Sequence, residues 1–127
     1  MNILAVDYGQ KRIGLAWMQE GLDVILPFGV VRPNLSLVNP YQELIDVIQN
    51  ERIGKVIIGL PLGEDGEETV NTERVRVFAT EIQKHIEVPC EFVDERFTTH
   101  EANRMGGTAS ADEKAAMLIL ESYIGRN

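Results

Sequence analysis

The stretch NILAVDYGQKRIGLAW, Asn2 to Trp17, decides the fold. Ile3 to Val6 and Ile13 to Met18 are short apolar runs, and only Asp7 to Arg12 lies between them. Parallel neighbours need a crossover of roughly a dozen residues or more. The two runs are therefore predicted to be antiparallel strands of a hairpin, with Gly9 absorbing an unusual backbone conformation in the turn. The first run is apolar at every position, as in a strand covered on both faces. Asp7 closes it, with Lys11 and Arg12 just beyond. An aspartate can simply initiate a turn, but the ends of central strands are also where α/β proteins gather functional side chains. No G-x-G-x-x-G follows, and no helix opens at once to receive a pyrophosphate, so a dinucleotide site is a poor reading.

Outward from the hairpin, a third strand is expected around Phe28 to Arg32, after the turn Gly21-Leu22-Asp23. Pro40 suits a first helical turn, and Leu44, Ile45 and Ile48 recur at helical spacing up to Asn50. Lys55 to Gly59 reads as a buried strand. Val75, Phe78, Ala79, Ile82 and Ile86 mark one face of a helix from about Thr69 to His85, and Glu91 to Asp94 is a fifth strand. Thr98 with Glu101, and Ser110 with Glu113, are possible capping boxes for two closing helices, the first halted by Gly106-Gly107. The fold class is thus α/β. A five-stranded mixed sheet, with a three-strand antiparallel meander plus two parallel strands, carries helices on both faces, all within one domain, residues 1–127.

The 127 residues can bury a sizeable core. No apolar stretch approaches the roughly 20 residues of a membrane span, and the opening MNILAVDYG has no basic segment or cleavage-like site, so a cytoplasmic protein without membrane attachment is expected. Cys90 alone cannot form an internal disulfide and reads as a core thiol. The net charge of −8 argues against tight, non-specific binding of nucleic acid and for a selective or weak partner.

Two further acids match Asp7. Asp94-Glu95-Arg96 ends the last strand, and because neighbours on a strand face opposite ways, only one of the two acids can look where Asp7 looks. Asp112 shares a helical stripe with Ala115, Ala116 and Ile119, which places it at the inner edge of a packed face. A first-turn acid is favoured by the helix dipole without any function, but small residues on that stripe point towards the sheet. Three converging carboxylates with no lysine between them would repel, and their pKa values would rise unless a cation intervened. An all-oxygen set suits Mg²⁺ or Mn²⁺. Two such ions about 3.5–4 Å apart could activate water and stabilise the leaving oxygen of a phosphodiester.

The motifs D-x-G-x-x-R-I-G (Asp7 to Gly14), I-I-G-L-P-L (Ile57 to Leu62), D-E-R-F-T-T (Asp94 to Thr99) and D-x-x-A-A-x-x-I-L (Asp112 to Leu120) together resemble the YqgF/RuvX family, in the family's order and over essentially the whole chain. The resemblance implies an RNase H-like fold with the first strand central. It implies acidic ligands at Asp7, Glu95 and Asp112, and a nuclease maturing the 5′ end of pre-16S rRNA, with Holliday-junction resolvase as the older label. The loop GEDGEE after Leu62 departs from the N-x-D-G-T-like segment of the family and leaves the role of Asp65 open.

Lys11, Arg12, Arg96 and Arg104 are the candidates for phosphate contact near the site. His100 reads as a helix-surface histidine with proton transfer as its alternative, His85 reads as a helix-end cation, and Trp17 reads as core rather than as a base platform. The expected substrate is structured RNA, with branched DNA as a variant, and the protein would act as a monomer or homodimer. The rival reading is an actin- or sugar-kinase-like phosphate binder, which also opens with D-x-G on a hairpin but normally needs two copies of the fold. A binding module that has lost turnover is a third.

Overall fold

The computed structural model describes residues 1–95 and 108–125. Five strands, β1 (Asn2–Asp7), β2 (Ile13–Gln19), β3 (Ile25–Val31), β4 (Ile53–Leu60) and β5 (Cys90–Asp94), form one sheet in the order β3-β2-β1-β4-β5. The hairpin and the meander are antiparallel, whereas β4 and β5 run parallel to β1. Helices α1 (Gln42–Asn50) and α2 (Val70–Gln83) are the two crossovers, and α3 (Ala111–Tyr123) follows the described gap. The first strand is central, as expected. The helix expected from Thr98 to Gly106, together with Arg96, His100 and Arg104, lies outside the described residues.

The period-2 alternation of β1 divides the core. Leu4 and Val6 join Leu44, Ile48, Val75, Phe78 and Ile82 beneath α1 and α2. Ile3 and Ala5 join Ala16, Ile57, Ala116, Ile119 and Leu120 beneath α3. All four β1 residues from Ile3 to Val6 are buried. The small residues Ala5, Ala16 and Ala116 let α3 approach the sheet closely, and Ser110 and Glu113 cap it reciprocally as the sequence predicts. Among the described residues, no helix is long and apolar enough to cross a membrane.

The differences from the expected boundaries have local causes. Strand β3 begins at Ile25, because Pro27 lies on an edge strand, where its missing N–H is tolerated, and a register shift sits beside Gly29. Pro40 precedes α1 instead of opening it: Asn39 accepts from the Tyr41 and Gln42 amides, and the helix starts two residues later, at Gln42. Gly9 has no left-handed backbone, contrary to expectation. A Cβ there would lie 2.5 Å from the Arg12 carbonyl oxygen, so the residue is small because the turn folds back on itself. Cys90 is half-buried against the core, and burial raises its thiol pKa.

Candidate active site

Parallel pairing brings the C-terminal ends of β1, β4 and β5 to one edge. Val6 pairs with Ile58, Leu60 pairs with Asp94, and the Glu95 amide donates to the Leu60 carbonyl at 3.2 Å. Alternation then decides which acids meet. Asp7 follows Ile3 and Ala5 in phase, and Glu95 follows Val93, which packs against the same α3-side cluster. Glu95 and Asp7 are hydrogen-bonded to each other, while Asp94 is exposed. Glu95 lies directly over Gly59, where a Cβ would stand 2.4 Å from its Oε2 and 2.5 Å from the Ile119 Cδ1.

Burial lifts the Asp7 carboxyl to about 6, with the Glu95 hydrogen bond opposing that rise and the charge of Asp112 adding to it. Glu95 is lifted further, to about 8, first by burial, then by the charge and hydrogen bond of Asp7, and least by Asp94. Both carboxyls are thus held well above the ordinary carboxylate range, so near neutrality the pair retains a proton between them.

Asp112 reaches the same edge through backbone contact. Gly14 is the cross-strand partner of Asp7, and the first turn of α3 rests on it. Its charge is felt at Asp7, but its carboxylate accepts from Arg12 Nε at 3.0 Å. The cation beside the acids is Arg12, one of the residues expected near the site, which reaches across from the hairpin to Asp112. Among the described residues, no three His, Cys, Asp or Glu side chains stand together as a ready-made metal cluster. The Asp7–Glu95 pair is close, and Asp112 is turned to Arg12 beside it.

Lys11 is exposed on the hairpin. Trp17 is half-buried, edge-on to Phe28, on the core side as expected. Asp65 has a local role: its Oδ1 accepts from the Glu67 amide in a tight turn with Gly66 at φ 85°, closed by a Leu62–Glu68 bridge. A cleft of about 330 Å³ opens beside the pair, lined by Gly9 and Gln10, Pro61, Glu95, and Asn71 and Arg74 of α2. Periodicity gives no sign of Asn71 and Arg74. They lie off the apolar stripe of α2, and only the crossover geometry shows that this helix starts beside the strand ends.

A five-stranded sheet of this order, with acids at the shared end of its parallel strands, defines an RNase H-like domain. RuvC from Thermus thermophilus, solved in complex with a Holliday junction substrate, shares the fold with a TM-score of 0.53 at 15% identity, covering 99% of this chain and 97% of its own. The model of the RuvX family, described as Holliday junction resolvase, matches residues 1–126. A protein of Maridesulfovibrio salexigens named "Putative pre-16S rRNA nuclease" is 33% identical over 99% of this chain and 99% of its own length. A namesake in Dictyoglomus turgidum is 32% identical over 98% and 94%. The chain belongs to the RuvX family, a family of nucleases.

Proposed function

We propose that this protein is a metal-dependent phosphodiesterase acting on structured RNA, trimming the 5′ end of pre-16S rRNA in the cytoplasm during ribosome biogenesis. The observation that carries the reading is the Asp7–Glu95 pair. Two half-buried acids from distant parts of the chain are hydrogen-bonded to each other at the rim of the sheet, and burial raises both, a costly arrangement that turn formation or surface solvation does not explain. The relatives' names supply the substrate.

The residues present fit a divalent ion. The donors are carboxylate oxygens, the shared proton marks a place where positive charge is favoured, and Asp112 is one ion-pair exchange away. Asp7, Glu95 and Asp112 would hold one or two Mg²⁺ or Mn²⁺ ions. When bound, such ions bring water to the phosphorus and offset charge on the departing oxygen. The chain's own part is to supply the oxygens, give up the proton held between Asp7 and Glu95, and release Arg12 from Asp112 so that its guanidinium can meet a phosphate. Lys11, Arg96 and Arg104 are the further candidates for that contact.

Branched DNA is the second substrate, favoured by the description of the family as Holliday junction resolvase. The test is to incubate the protein and an Asp7→Asn variant with a pre-16S rRNA leader, a four-way DNA junction and ATP, each with Mn²⁺ and with EDTA. RNA cleavage that needs metal and is lost in the variant supports the proposal. Nucleotide binding without cleavage would favour the kinase-like reading. Fractionation by size, with and without RNA, decides between monomer and homodimer.

A further inference from the structure

An acidic chain must hold an acidic polymer by the placement of a few cations, and several cations here are already engaged. Arg12 pairs with Asp112, Arg76 grips both oxygens of Glu68, Lys55 pairs with Glu91, and Lys84 pairs with Glu81. Arg74 differs. Its Nη1 donates to the neutral Asn71 Oδ1 at 3.0 Å, and among the described residues no carboxylate stands within ion-pair distance of it. It lines the same cleft as Glu95.

We propose, resting on the nuclease reading above, that this cleft seats a phosphate of the bound strand, with Arg74 as the substrate-binding residue and the Asn71 amide beside it. A guanidinium has five donors in a planar fork, so one bond to Asn71 leaves the rest for phosphate oxygens. That bond also fixes Asn71: its oxygen accepts from Arg74, which leaves its NH₂ to donate. Gln10 on the hairpin wall offers another amide, and Gly9, which has no room for a side chain, keeps that wall low.

The wall on α2 is held rigidly. Thr69 and Thr72 cap the helix reciprocally, and the hydroxyl of the fully buried Thr72 donates to the Pro61 carbonyl just past β4. Val75, next to Arg74, is buried in the core. The position of Arg74 is thereby tied to the same strand ends that carry the acids. A phosphate between Arg74 and a cation on the carboxylates would be compensated from both sides.

The test separates binding from cleavage. A fluorescein-labelled RNA hairpin with a single-stranded 5′ extension is titrated by anisotropy in EDTA over a range of NaCl, and its cleavage is followed separately in Mn²⁺. Arg74→Ala is expected to weaken binding about five- to tenfold and to flatten the plot of log K against log salt by about 0.7, the share of one phosphate contact on a single strand. Arg74→Lys retains the slope. Asn71→Asp, which sets a carboxylate against Arg74 without removing it, weakens binding similarly and carries the test if Arg74→Ala fails to fold. Lys84→Ala, a control on the far end of α2, changes neither quantity. Affinity and salt slope unchanged in Arg74→Ala and Asn71→Asp, with a wild type that binds and cleaves, would overturn the inference and leave the nuclease standing. A wild type that neither binds nor cleaves the RNA would remove both.

Discussion

Gly14 and the backbone of Asp112 touch with no room for a side chain between them. A Cβ on Gly14 would lie 2.0 Å from the Asp112 carbonyl oxygen and 2.9 Å from its Cβ. Because Gly14 is paired with Asp7 across the hairpin, this one contact sets how near the third acid comes to the first. Gly14→Ala must push the start of α3 off the sheet. We expect a loss of about 2–3 kcal/mol in urea unfolding, with cleavage falling further than stability alone explains. Unchanged stability would mean that α3 is not seated as described.

Gly59 serves Glu95 in the same way, but with a side chain as neighbour. Gly59→Ala places a methyl group against the Glu95 carboxyl and the buried Ile119. A cost of roughly 1–3 kcal/mol is expected, together with a fall in kcat of more than about tenfold as Glu95 leaves Asp7. Full activity in a folded Gly59→Ala protein would show that Glu95 need not sit over β4.

Arg12 competes with any cation for Asp112. Arg12 is exposed and Asp112 only partly buried, so Arg12→Gln is expected to cost no more than about 1 kcal/mol of stability. Removing the guanidinium also removes a positive charge from beside the acids. Calorimetric titration with Mn²⁺, without nucleic acid, should show binding tightened by roughly three- to tenfold, while RNA affinity falls. Weaker Mn²⁺ binding in Arg12→Gln would contradict the assignment.

The acid pair also sets a pH dependence. Asp7 and Glu95 titrate in the folded chain at about 6 and about 8, above their ordinary values, so in this range the folded state binds more protons than the unfolded one. Their contribution to stability is complete below the ordinary carboxylate range and is lost as pH rises through the folded values. In EDTA the Tm should drop by several degrees, on the order of 2 kcal/mol, from about pH 5 to pH 8.5, and Asp7→Asn should make that drop smaller, leaving the part that burial imposes on Glu95. Mn²⁺ should reverse the trend, because it binds the deprotonated acids. Identical Tm profiles for the wild type and Asp7→Asn would contradict a shared proton.

Much of this arrangement is legible in the sequence, for physical reasons. The linker from Asp7 to Arg12 is too short for a crossover, which forces the hairpin, and the gap between the apolar runs at Val6 and Lys55 leaves room for helical connections and parallel pairing. Strand alternation allows only one of Asp94 and Glu95 to face Asp7, the family resemblance implies Glu95, and the Ser110–Glu113 box fixes the start of α3. What periodicity does not carry is the close approach of distant backbones. The small size of Gly14 and Gly59 is explained only by α3 and Glu95 lying upon them, and the pairing of Arg12 with Asp112 spans a hundred residues of sequence. Arg74 was equally hidden, since a polar position on an amphipathic helix looks the same whether it faces solvent or a cleft.

The central claim is that Asp7, Glu95 and Asp112 share a divalent cation. Anomalous diffraction from crystals soaked in Mn²⁺ near pH 7.5 tests it most directly. We predict a manganese peak within coordination distance of the Asp7 and Glu95 carboxylates, with Asp112 turned from Arg12 to join them. A peak elsewhere, or none at this edge with Asp112 still on Arg12, would contradict the account.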